Sequence, residues 1–192
     1  SCTSPLGIDP KYDYSQLGET WSTPRIVRIP SELKGYRNNY QKDTYVAVMG
    51  AGMGNTNLCA GSAVFIVNLD DNEENPGSIY GAETNGGPIT IVDTTPAGVV
   101  TGAGTIATPN GSDIGNSLPS AAVVITPDTA YNIPWRGAMV YFNDLEGKIT
   151  KINLTSSIKN GAALFDQTTL FRLNANTDNR RYSYFSMDAG IG

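Results

Sequence analysis

The chain has 192 residues, a length that suits one domain, or one piece of a larger protein, with a substantial core. Glycine supplies 21 residues, proline 11 and charged side chains only 16%, a loop-rich globular balance that argues against disorder and against long helices. With no histidine and only Cys2 and Cys59 the chain cannot build a Ser/His/Asp triad, a Cys/His dyad or an ordinary four-ligand zinc site, and a net charge of -5 with no basic cluster beyond Arg180 and Arg181 argues against nucleic acid.

Taken in order, residues 1–19 form a lead-in, and strands are predicted at Arg25–Ile29, Tyr45–Met49 and Ala63–Val67, with a further strand-like segment at Gly77–Ala82. Each run is rich in β-branched or aromatic residues and is bounded by Gly, Pro, Asn or Asp. The polar stretch Pro30–Asp43 reads as a loop insertion between the first two strands. The Gly/Thr/Ala/Pro tract Asp93–Ser117 reads as a surface excursion or flexible linker, in which Val99-Val100 could pair only weakly as an extra hairpin. Strands are predicted again at Ala121–Ile125, Ala138–Phe142 and Lys148–Leu154, followed by a strand-like Ala162–Asp166. No apolar run approaches the roughly 20 residues of a membrane helix, so no membrane insertion is expected.

These runs repeat. Arg25–Ile29 parallels Ala121–Ile125, Tyr45–Gly50 parallels Gly137–Asn143, and Val64–Leu69 parallels Ile149–Leu154. The offset falls from 97 residues between Val27 and Val124 to 85 between Asn68 and Asn153, so loop lengths drift while strand order persists. Four short antiparallel strands in tandem fit the blade of a β-propeller, whose strand edges neighbouring blades hide. The expected fold is all-β, a partial propeller with a first blade over 20–92 (insertion 30–43), a linker over 93–117 and a second blade over 118–173. A third blade is expected to start within 174–192, near Arg181–Phe185.

Several segments invite a chemical reading. Gly50, Gly52 and Gly54 follow a strand, and Asp70 lies 20 residues after Gly50, as in a dinucleotide-binding turn. That fingerprint needs a helix directly after the glycines, whereas Asn55–Ser62 is short and has no helical apolar face, so a glycine-rich loop between strands is expected and no cofactor-binding residue is assigned. Asp70, Asp71, Asn72 and Glu74 concentrate oxygen ligands and form a weak calcium candidate, without the D-x-[DN]-x-[DN]-G spacing of a calcium loop. Asn143, Asp144 and Glu146 are a second; there Asp144-Leu145-Glu146-Gly147 more simply makes a tight turn with Gly147 at positive φ. Trp21 and Trp135 are expected to pack between blades. No carboxylate spacing singles out a glycosidase pair. Of the two glycosylation sequons, Asn110 and Asn153, the second falls inside a predicted strand. Cys2 and Cys59 are compatible with one disulfide in an oxidising compartment or with two thiols. Cys2 lacks the upstream signal of a lipoprotein.

The runs Leu17–Ile29, Tyr45–Gly52 and Ser62–Leu69 resemble the opening blades of the PilY/PilC type IV pilus tip-associated proteins. Met139–Leu154 is similar to that family's recurring strand, Asp-Leu-x-Gly turn and strand. The resemblance covers about Leu17 to Leu154 with gaps at both long loops. It implies a non-catalytic β-propeller portion of an adhesin or pilus assembly protein, outside the cell at the surface or pilus tip, with the periplasm as its route. The implied partners are pilus subunits or a host or surface ligand, together with further blades of the same protein. The family's Asp-x-Asp-x-Asp-Gly calcium loop is absent: its place holds Pro127–Pro134, with Asp128 as the one acid. No binding residue is therefore carried over, and no cofactor is expected. Two alternatives stand beside this: a quinoprotein-like propeller dehydrogenase, which needs a quinone in its central channel, and a structural module of another extracellular assembly. A closed propeller takes typically four or more blades, so the length reads as that of a partial ring.

Overall fold

A computed structural model describes residues 7–29, 44–54, 60–70, 76–81, 86–92, 116–126, 137–155, 164–172 and 182–189, with the backbone of 99–100. Pro30–Asp43, Asn110, both cysteines, Trp135, Arg180, Arg181 and most of Asp93–Ser117 lie outside the described residues. Among the described residues there is no α-helix, only a 3-10 turn at Pro10–Tyr12, and so no helix long and apolar enough to cross a membrane.

The first sheet is antiparallel, with β1 (Arg25–Ile29), β2 (Thr44–Gly50) and β3 (Ala63–Asn68) side by side. Its fourth position is shared. β4 (Ile79–Tyr80) pairs with Ile66 and Val67, and β5 (Ile89–Thr90) pairs with Ala63 and Val64 on the same edge of β3. The strand expected at Gly77–Ala82 is thus only the first half of an interrupted strand. The chain leaves the sheet after Tyr80 and returns before Ile89, closing so tightly that a Cβ on Gly81 would lie 2.1 Å from the Gly87 carbonyl oxygen.

The second sheet runs β6-β10-β9-β8-β7, from β6 (Val99–Val100), β7 (Val123–Ile125), β8 (Gly137–Asn143), β9 (Ile149–Thr155) and β10 (Gln167–Phe171). The meander β7 to β10 repeats the order of the first sheet. Two expectations are corrected here. Val99-Val100, expected in a linker with at most a weak extra hairpin, forms the fifth strand not as a local hairpin but against Gln167 and Thr168. The last strand begins at Gln167 rather than within Ala162–Asp166, because Phe165 sits in a turn at φ 69 that drives its ring into the core, stacked 6.4 Å from Tyr80. The architecture is therefore all-β, two open antiparallel sheets in tandem, neither closed on itself.

Strand alternation decides what lies between the sheets. Val27, Val46, Val48, Val64, Ile66 and Ile89 from the first sheet share one buried cluster with Val140, Phe142, Ile152, Leu154 and Phe165 from the second. Burial of a Phe or Ile side chain on this scale is worth about 1.5–3 kcal/mol, so the shared face holds the two repeats together. The other face of the first sheet is partly covered by the N-terminal segment: Tyr14 stacks 5.5 Å from Phe65, and its hydroxyl donates to the Gly77 carbonyl at 2.6 Å. On the second sheet the other face carries Val123, Ile125, Met139, Tyr141, Ile149 and Lys151, all half-buried.

Candidate functional site

The glycines that invited a cofactor reading form a seam between the repeats. Beyond the end of β2, Met53 exchanges two backbone hydrogen bonds with Glu19, at 2.8 and 2.9 Å. Its neighbour Gly52 exchanges two with Leu118, at 3.0 and 2.9 Å. One strip of chain is thus held between the lead-in to the first sheet and the lead-in to the second. Gly52 has φ +89, and a Cβ there would meet the Glu19 carbonyl oxygen at 2.2 Å. Gly54 N–H donates to Ser117 Oγ at 3.3 Å. The Gly52 and Gly54 amides that a pyrophosphate would require are spent on the protein itself, and no helix opens behind them in the described chain. Side chains tighten the same seam: Ser22 Oγ accepts from the Gly50 N–H at 3.0 Å, and Thr20 Oγ1 donates to the Gly50 carbonyl at 3.1 Å.

The hairpin between β8 and β9 is the second element of the joint. Gly147 N–H donates to the Asp144 carbonyl at 3.0 Å and Gly147 has φ 75, the tight turn expected from Asp-Leu-x-Gly. What the spacing did not reveal is that Lys148 and Asp144 are 0% and 1% exposed and paired at 3.1 Å. Lys148 Nζ also donates to the Val92 carbonyl at 3.2 Å and to Asn116 Oδ1, while Lys148 N–H donates to Asp144 Oδ1 at 2.8 Å. Gln167 continues the belt, accepting from the Val92 N–H at 3.3 Å and donating to the Thr90 carbonyl at 2.7 Å. The backbone leaving β5 is therefore stitched to the second sheet by a lysine and a glutamine, each inside the protein. Asn116 and Ser117, the end of the expected linker, are fully buried in this joint.

Burial pushes the Asp144 carboxyl from 3.8 up to about 6, with the Lys148 charge and hydrogen bonds pulling the other way and Glu146 adding a further push upward. The folded state thus holds this proton more tightly than the unfolded chain. The stability contributed by the group is fully present below 3.8 and is lost as pH rises through about 6. Urea unfolding across that window should show the free energy of the native chain falling with rising pH relative to that of Asp144→Asn. A difference that stays flat would contradict the assignment.

Other predicted positions fall apart in space or prove to be structural. Asp70 makes a local turn, its N–H donating to Asn68 Oδ1 at 3.0 Å, while Asp71, Asn72 and Glu74 lie outside the described residues. Among the described residues no three carboxylate or cysteine side chains gather as metal ligands. Asn143 is bound on both sides, accepting from Ser120 Oγ at 3.0 Å and donating to Ser183 Oγ at 2.8 Å. Asn153 is buried in β9, and its side chain accepts from the Thr155 hydroxyl at 2.6 Å. Trp21 corrects the packing expectation: it is 66% exposed. Tyr182, Tyr184 and Phe185 are exposed as well, the last at 86%. The described surface therefore offers exposed aromatic side chains and a half-buried sheet face, while the Asp144 carboxyl is sealed inside the joint.

No protein-family model matches the chain, and neither curated proteins nor solved structures give a significant match.

Proposed function

We propose that the chain is a non-catalytic part of a β-propeller in a type IV pilus-associated protein, serving pilus assembly or adhesion at the cell surface. The observation that carries this reading is the tandem of two antiparallel meanders packed through one shared core and joined hairpin to lead-in, the arrangement adjacent blades require. The resemblance adds the pilus. Its strand-turn-strand segment coincides with β8, the Asp144–Gly147 turn and β9, where Asp144 and Lys148 have a structural use. The exposed aromatics Trp21, Tyr184 and Phe185 suit a surface that meets a pilin or a surface ligand.

Deleting the segment that encodes this chain in its source organism tests the reading. Surface pili, counted by electron microscopy, or attachment to a surface should fall sharply, and restoring the segment should recover them. Unchanged piliation together with unchanged attachment would sink the proposal.

A further inference from the structure

The hydrogen bonds that join the two sheets occur a second time, at a place where only one sheet is present. In the first joint, the connection after β2 bonds on one side to the lead-in of its own sheet, Glu19 to Met53, and on the other to the lead-in of the next, Gly52 to Leu118. In the second sheet the connection after β8 does the same. Leu145 N–H donates to the Ser117 carbonyl of its own lead-in at 3.1 Å, and Leu145 O accepts from the Ser183 N–H at 3.0 Å. The side chain of Asn143 repeats the bridge, linking Ser120 on one side to Ser183 on the other. Ser183 therefore occupies, on the second sheet, the place that Leu118 occupies on the first.

We propose that the outer face of the second sheet is the seat of a third four-stranded antiparallel sheet of the same polypeptide, led in by Tyr182–Ala189. This rests on the propeller reading above and deepens it by naming the surface and its occupant. Tyr182–Ala189 forms no strand and bends at Phe185, two residues after Ser183, as the chain bends at Ser120, two residues after Leu118, before β7. The spacing from Leu118 to the start of β7, applied to Ser183, places the first strand of the third sheet from about residue 188 onward. The seat itself is half-buried and apolar along β7 and β8, with Val123 opposite Tyr141 and Ile125 opposite Met139 in register, and β9 adds Lys151 and Asn153 to the same face. It continues the interface already formed, since the first and second sheets also meet face to face through alternating apolar residues.

Methionine oxidation tests this without any substitution. Met139 lies in the seat, whereas Met49 lies on the far face of the first sheet and serves as the internal reference. The 192-residue chain is compared with the same chain lengthened by the residues its gene encodes next, about 50 of them for one more sheet. In the longer polypeptide, Met139 should oxidise with peroxide at least about fivefold more slowly relative to Met49. Met139→Lys should also lower the melting temperature of the longer polypeptide more than that of the 192-residue chain. Three results would overturn the proposal: an unchanged Met139 rate, a gene that encodes no further residues, or protection that depends on the concentration of the 192-residue chain and so marks a second copy. The loss of pili or attachment is read separately, so failure here is distinguishable from failure of the pilus assignment.

Discussion

Gly52→Ala is expected to lower the stability of the chain by at least about 3 kcal/mol, or to prevent folding altogether. Two costs combine at this position. The backbone sits at φ +89, which an L side chain adopts only with strain of roughly 1–3 kcal/mol. The added Cβ would also lie 2.2 Å from the Glu19 carbonyl oxygen and 2.5 Å from the Thr20 Cα, backbone atoms that no rotamer change can move aside. Relief requires the Glu19 and Met53 pair or the Gly52 and Leu118 pair to open, and with either the seam between the sheets. Gly77→Ala is the matched control. Gly77 has φ +83 but nothing within 4 Å of an added Cβ, so only the same backbone cost, roughly 1–3 kcal/mol, applies. Urea midpoints of the two variants should separate clearly. Equal losses would show that the seam yields freely and that Gly52 is not its point of closest approach.

Lys148→Met should cost about 3–5 kcal/mol, because it leaves the Asp144 carboxylate buried without its cation. The Val92 carbonyl and Asn116 lose their donor in the same step, which loosens the belt between β5 and the second sheet. Replacing both partners, Asp144→Asn with Lys148→Met, should recover much of the loss, since the desolvated charge is then gone along with its mate. A double-mutant cycle followed by urea unfolding measures the coupling. Lys151→Met, three residues further along the chain on the half-buried outer face of β9, should change stability by less than about 1 kcal/mol. If Lys148→Met proved as mild as Lys151→Met, the pair at 3.1 Å would have no structural weight.

Much of the fold was legible because strands announce themselves locally. Runs such as Ala63–Val67 and Ala138–Phe142 combine β-branched or aromatic residues with turn residues at both ends, and β3 and β8 follow them within a residue or two. The last strand of the second repeat was misplaced for the same local reason. Ala162–Phe165 is the more apolar run, yet Phe165 is a core plug in a turn, and the ladder falls on the polar Gln167, Thr168 and Thr169. Gln167 can be buried there because the backbone of Thr90 and Val92, 75 or more residues distant, completes its hydrogen bonds. No window of sequence contains that partner. The split fourth strand of the first sheet is not legible in the sequence either, since two-residue pairings carry no periodicity.

The candidate site divides along the same line. Composition alone removes histidine chemistry and ordinary zinc sites, and the lack of a helical apolar face in the sequence Asn55–Ser62 argues against a dinucleotide-binding turn. The Asp144–Gly147 turn, the tandem repeat and the strand order were likewise written in the chain, since turn chemistry and strand patterning act over a few residues. Tertiary structure decided which face of each sheet is buried, that Lys148 is an internal cation, that Trp21 is exposed, and that the Gly52–Met53 strip and Leu145 each join two lead-ins. These depend on partners far away in the chain, and a buried charge or a close backbone approach is favourable only when those partners arrive together.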